Sequence, residues 1–160
     1  MKRILILMFI LAVRLSACGR KPPAALGVDA PADQVPSIIG SYALNANDPT
    51  GEQYGGTLTV FAGEAVNEYN LQWLVSGGIH EGSGTLSGNQ LTFTWHSVSG
   101  TDQEISGSGS YTVTVNGELY GNRAVDGVVT GFVESAYPNQ KPSQVIVSKN
   151  KNALQLGVHF

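Results

Sequence analysis

Between Gly55 and Gly131 the chain alternates apolar and polar residues in short runs, and glycines punctuate the runs. It reads GGTLTVFAG, EYNLQWLVSGG, GSGTLSGNQLTFTW, GSGSYTVTVNGELYGN and GVVTGF in succession. A period of two places alternate side chains on opposite faces of a strand, and Gly-rich breaks mark tight turns. Of the 20 glycines, 17 fall between Gly40 and Gly131. No apolar stripe at helical spacing occurs beyond the N-terminus, so the chain reads as all-β.

Eight strands are expected. Ser37 to Leu44 is the first, with Ile39 and Tyr42 offered to a core. Thr57 to Phe61 and Glu68 to Val75 follow, the latter with Tyr69, Leu71, Trp73 and Val75 on one face. His80 to Leu86 and Gln90 to His96 flank the Ser87-Gly88-Asn89 turn, and Leu91, Phe93 and Trp95 share a face. Ser108 to Val115 aligns Tyr111, Val113 and Val115. Asn116-Gly117 is the strongest hairpin signal, and Glu118 to Ala124 and Val128 to Glu134 complete the set. Short connections make this an antiparallel up-and-down meander. A meander leaves two raw edges unless it closes, so a small barrel of about eight strands is favoured. Gly82, Gly84, Gly107, Gly109, Gly121 and Gly131 permit the coiling that closure requires. Ala136 to Pro142 interrupts the pattern. Residues 136–160 then form a C-terminal extension with two further candidate strands, Gln144 to Ser148 and Ala153 to Phe160.

The N-terminus is a different kind of segment. Lys2 and Arg3 precede an unbroken apolar run, Ile4 to Val13. At about 1.5 Å per residue it spans roughly 15 Å, too short for a bilayer core of about 30 Å. It reads as a signal peptide over residues 1–17. Leu15-Ser16-Ala17-Cys18 then resembles the lipobox of bacterial lipoproteins, with Arg14 as a departure from the usual pattern. The resemblance implies diacylglycerol on the Cys18 sulfur, cleavage before Cys18 and acylation of the new amino group. Cys18 is the only cysteine. An unpaired thiol in an exported protein calls for a role, and lipidation supplies one. Gly19 after it is compatible with sorting to the outer membrane in the same family. Residues 18–36, with Pro22, Pro23, Pro31 and Pro36, read as an extended tether before a domain at 37–160.

Charge narrows the partners. Ser37 to Ser135 holds ten acids and one base, Arg123, a net of −9. Such a surface repels nucleic acid and anionic headgroups. Metal and nucleophile motifs are missing. His80 and Glu81 are adjacent and so face opposite sides of a strand, His96 points outward, and His159 lies near the C-terminus. No G-x-S-x-G elbow or phosphate-cradling loop occurs. No metal, cofactor or enzymatic activity is expected. Arg123 shares strand parity with Leu119 and Gly121, which aims it into the barrel. It is a candidate ligand-binding cation for an anionic group. The alternative is a structural ion pair with Glu134 or Glu118, since an unpaired buried guanidinium is costly.

The Gly-Thr-Leu-Thr-Val, Tyr-x-Leu-x-Trp and Gly-x-Gly-Thr-Leu-Ser-Gly-Asn-x-Leu runs resemble a family of small exported bacterial proteins, some labelled fibronectin-binding. The arrangement also resembles avidin and lipocalin barrels, though no biotin-site pattern can be placed on it. These resemblances imply a lipid-anchored envelope protein, at the outer membrane, with a β-barrel binding domain. Its ligand would be a host or envelope protein or a small apolar molecule. The alternatives are an assembly lipoprotein without a ligand, and a small barrel that itself spans the outer membrane. The alternating tail ending in Phe160 evokes the last, but two to four aligned apolar residues per strand fill a small interior without covering a bilayer.

Overall fold

The computed structural model describes residues 25–100 and 105–140. Cys18 and the candidate strands Gln144 to Ser148 and Ala153 to Phe160 lie outside the described residues. Eight strands follow one another: β1 (Gly40–Asn47), β2 (Gln53–Ala62), β3 (Glu68–Val75), β4 (Gly78–Ser87), β5 (Gln90–Gly100), β6 (Ser106–Val113), β7 (Leu119–Arg123) and β8 (Phe132–Pro138). Each pairs antiparallel with the next, and β8 pairs back onto β1, so the sheet closes into a barrel.

The alternation expected from sequence is the alternation of burial. On β5, Leu91, Phe93 and Trp95 are buried while Thr92, Thr94 and His96 are exposed. Trp73, Leu71, Leu58, Val60, Tyr42, Leu44, Tyr111, Val113 and Leu119 join them in one interior cluster. Tyr69, expected in the core, packs against this cluster only partly buried. The strand positions facing outward carry Asn45, Thr59, Asn70, Gln72, Glu81, Ser83, Thr92 and Thr94, with Phe61, Leu74 and Val133 scattered among them. A wall facing hydrocarbon carries a continuous apolar band, which this mixture is not.

The glycines also make room. Phe93 lies opposite Gly84 on one side and Gly109 on the other, and Trp95 lies opposite Gly82 and Gly107. Two large rings thus each cross the interior over a pair of residues without side chains. A Cβ at Gly109 would stand 2.6 Å from the Phe93 ring and 2.6 Å from the Asn122 carbonyl oxygen.

Most strand ends lie one to four residues from those expected, and three differences change what is buried. The last strand runs over Phe132–Pro138, not Val128 to Glu134, because its inward positions are Glu134 and Ala136, which do not look like core residues. The 136–142 stretch therefore does not interrupt the sheet at its start. Ile38, not Ile39, is the buried member of that pair, which puts it in phase with Tyr42 and Leu44. Val115 lies past the end of β6 and is half exposed.

The fourth difference matters most. The stretch 27–36, expected as free tether, lies against one end of the barrel. Val28 and Ala30 exchange backbone hydrogen bonds with Val115 and Val113. The Gly27 N–H donates to Glu118 Oε2 at 2.7 Å. Ala32 sits beside the Gly88 turn, and Val35 and Ile38 pack on the interior cluster. The segment thus crosses from the β6–β7 turn past the β4–β5 turn to β1 and plugs that end.

Replacing Gly109 by Ala should lower stability by about 1–3 kcal/mol through overpacking against Phe93, with no loss of fold. Urea unfolding of the G109A and wild-type proteins measures it. An unchanged midpoint would show that the ring has room to move.

Candidate functional site

The opposite end of the barrel carries the β1–β2, β3–β4, β5–β6 and β7–β8 connections. Here β5 has one residue more than β4, Val98, at the register shift between Ile79 and His80. Bulges are common at barrel rims, where they re-aim side chains. Four inward-facing polar residues meet just beneath this rim: Tyr54 of β2, His80 of β4, Arg123 of β7 and Glu134 of β8.

Arg123 is fully buried and lies in the interior, as its strand parity foretold. Among the described residues it is the only Lys or Arg. Its Nε donates to Glu134 Oε1 at 3.1 Å, and both side chains have no solvent exposure. Its Nη1 lies 2.6 Å from His80 Nδ1, and its Nη2 donates to the Tyr54 hydroxyl at 3.4 Å. Guanidinium has no acceptor, so His80 Nδ1 accepts and its proton sits on Nε2, which makes the imidazole neutral. Three rings enclose the cation. The guanidinium carbon is 4.3 Å from the Trp95 ring centroid, 4.7 Å from Phe132 and 5.1 Å from Trp73. Guanidinium stacks on aromatic faces favourably, by about 2 kcal/mol or more where desolvated.

Glu134 is the counterpart. It accepts from Arg123, from the Tyr54 hydroxyl at 2.9 Å, and from the Tyr111 hydroxyl in a short hydrogen bond. Tyr111 in turn accepts from Trp73 Nε1 at 3.0 Å. Trp95 Nε1 donates to the Ala124 carbonyl at 2.8 Å. Burial alone would drive the guanidinium toward neutrality, but Glu134, with Tyr111 and Tyr54, more than offsets this and raises the Arg123 pKa. Burial, followed by the neighbouring Glu134 charge, pushes the Tyr54 and Tyr111 hydroxyls above the ordinary tyrosine range. Burial also raises Tyr42, whose hydroxyl donates to the Ile38 carbonyl at 2.6 Å at the plugged end.

Of the two acids offered as partners for Arg123, the structure brings Glu134 to it. Glu118 lies at the plugged end and accepts from Thr114 Oγ1 at 2.6 Å and from Gly27. His96 is exposed on the outer wall. Sequence reasoning missed His80, Tyr54 and Phe132 as companions of Arg123. His80 was legible by parity, since it precedes the inward Gly82 and Gly84 by even steps. Tyr54 was hidden because it precedes the expected start of its strand.

Above the network the barrel opens into a cavity of about 640 Å³. Tyr54, Phe132, Val75, Ile105 and His80 form its wall, and Asp48, Glu52, Gln53 and Ser76 its rim. Tyr54 and Phe132 meet edge to face, with centroids 5.8 Å apart. Arg123 borders the cavity floor but presents no accessible surface to it. Ligand cavities commonly measure about 300–1,000 Å³ and combine apolar walls with a few convergent polar groups.

No protein-family model matches the chain, and no characterised protein matches it in sequence. Among solved structures it is similar to EF1p2_mFAP2b bound to DFHBI, with TM-score 0.51 and 12% identity over 63% of this chain and 93% of that one. A redesigned β-barrel, mFAP1, bound to DFHBI, gives TM-score 0.49 and 13% identity over 62% of this chain and 91% of that one. At such identity the first likeness speaks for the barrel fold.

The tyrosines give the network a pH signature. A phenol whose pKa is raised on folding keeps its proton in the folded state after the unfolded chain has lost it. The stability it contributes is full below about pH 10 and is lost as pH rises beyond that. Thermal melts should be level from neutral pH to about pH 9 and fall steeply above about pH 10. Absorbance of phenolate should then show Tyr42, Tyr54 and Tyr111 ionising only with unfolding. Ionisation of all tyrosines while the barrel remains folded would contradict their burial.

Proposed function

We propose that the protein is a lipid-anchored envelope lipoprotein whose barrel holds a small ligand in the open mouth. The observation that carries this reading is the asymmetry of the two ends. One end is plugged by residues 27–38, and the other opens into a cavity walled by Tyr54, Phe132, Val75 and Ile105. A barrel built for packing alone would be filled at both ends.

The two features also fit together in space. A chain anchored through Cys18 enters the barrel at its plugged end, because residues 27–38 lie there. The open mouth then faces away from the membrane. Such a barrel takes its ligand from the aqueous compartment, not from the bilayer. The solved barrel EF1p2_mFAP2b, similar in fold, is bound to DFHBI, which supports a barrel of this size as a container for a small molecule. The lipobox resemblance and Gly19 support an outer-membrane location. A cavity framed by apolar and aromatic groups favours a small ligand over the alternative of an envelope or host protein partner.

Mass spectrometry of the full-length protein extracted from membranes tests both halves. The N-terminal peptide should begin at Cys18 and carry a diacylglyceryl mass, which Cys18→Ser abolishes. Native spectra should show a small-molecule adduct that is lost in Val75→Trp, where the added ring fills the mouth. An unmodified Cys18 would end the lipoprotein reading. Retention of the adduct in the Trp variant would place the ligand elsewhere.

A further inference from the structure

We propose that the mouth cavity takes a flat aromatic cation, such as an arylmethylammonium, and discriminates against aromatic acids. The proposal rests on the cavity being a binding site and names the class of ligand.

Of the two sequence readings of Arg123, a structural ion pair and a cation awaiting an anionic ligand, the second would make the site an acceptor of acids. The geometry removes Arg123 from that role. Its charge is cancelled by Glu134 at 3.1 Å, its Nη1 and Nη2 meet His80 and Tyr54, and Trp95 and Phe132 lie within 4.7 Å of its guanidinium carbon. With no accessible surface, it can touch an entering anion only if Tyr54 or Phe132 swings away. That displacement would uncover a buried ion pair, which is strongly unfavourable. An incoming carboxylate therefore has no cation to reach.

What a ligand does meet is aromatic and then acidic. Tyr54 and Phe132 present rings to the cavity, and ring faces attract cations and stack on flat aromatic bodies. The rim holds Asp48 and Glu52. Asp48 is fixed in place. One of its oxygens, Oδ1, accepts from the Thr50 hydroxyl at 2.6 Å, the Thr50 N–H at 2.8 Å and the Glu52 N–H at 2.8 Å. The Thr50 hydroxyl bond foremost, with the backbone bonds, lowers the Asp48 pKa and keeps it ionised. With Arg123 cancelled by Glu134, no Lys or Arg among the described residues offsets these two carboxylates. Charge of one sign around a low-dielectric cleft focuses the field into it, attracting cations and repelling anions. An arylmethylammonium satisfies both layers, with its ring among Tyr54 and Phe132 and its ammonium at the rim.

Three probes of one shape and different charge test this on the full-length protein: naphthylmethylammonium, naphthalenemethanol and naphthoate, titrated by calorimetry at low and at physiological salt. The ammonium should bind about 5–10-fold more tightly than the alcohol at low salt, with the gap shrinking as salt screens the rim. Naphthoate should bind most weakly. Glu52→Gln should narrow the gap between ammonium and alcohol, and Val75→Trp should weaken both. Naphthoate binding more tightly than the alcohol would overturn the charge assignment while leaving the cavity a site. If none of the three binds, the cavity is not a site for flat aromatics, and the inference falls with it.

Discussion

A guanidinium and a carboxylate, both sealed from water inside a 16.8 kDa chain, set the terms for the rest of this structure. Each ion has lost its hydration, at a cost of several kcal/mol that mutual attraction alone does not reliably recover. The fold makes up the difference with hydrogen bonds and rings. Tyr54, Tyr111 and His80 meet the remaining polar edges, and Trp73, Trp95 and Phe132 cover the faces of the cation. These residues come from β2, β3, β4, β5, β6 and β8, and Arg123 itself from β7. One ion pair thus draws on seven of the eight strands. A hydrophobic core can tolerate repacking, but a polar network of this kind is satisfied in one arrangement and costly in others. It specifies the register in which β7 meets β6 and β8.

The same network divides the barrel. Below it, glycines on β4 and β6 leave space for Phe93 and Trp95, and residues 27–38 close the far end with backbone hydrogen bonds and Ile38. Above it, the interior is open. The cavity floor is therefore polar underneath and aromatic on top, and the rim is acidic. Lining, charge and accessibility of the mouth follow from how the ion pair is shielded.

Much of this was legible in the sequence. The period-two alternation specified an antiparallel all-β fold, and β3 was bounded at the same residues, Glu68 and Val75. Parity aimed Arg123 inward, and the cost of an unpaired buried guanidinium called for Glu134 or Glu118 as its partner. What stayed hidden has one physical cause: inward positions occupied by polar or small residues look outward to a hydrophobic pattern. Glu134 and Ala136 disguised β8, and His80 with Gly82 and Gly84 disguised the inner face of β4. The plug was hidden for a different reason. Proline-rich composition suggested a free extended chain, whereas the segment bridges to Thr114 and then turns at Pro31 to Gln34. Its Ala30 and Ile38 find burial through long-range contacts with β6 and the interior cluster, which no local pattern encodes. Cys18, the candidate lipidation site, and the two candidate C-terminal strands lie outside the described residues.

Arg123 and Glu134 act as one unit that braces the barrel. A double-mutant cycle with Arg123→Met and Glu134→Gln, read by urea unfolding, addresses it most directly. Each single change should cost about 3–5 kcal/mol, because it leaves the other charge or its partners buried without compensation. The double change should cost well under the sum, with a coupling of about 1–3 kcal/mol. Additive losses, or a single Arg123→Met protein as stable as the wild type, would contradict the account.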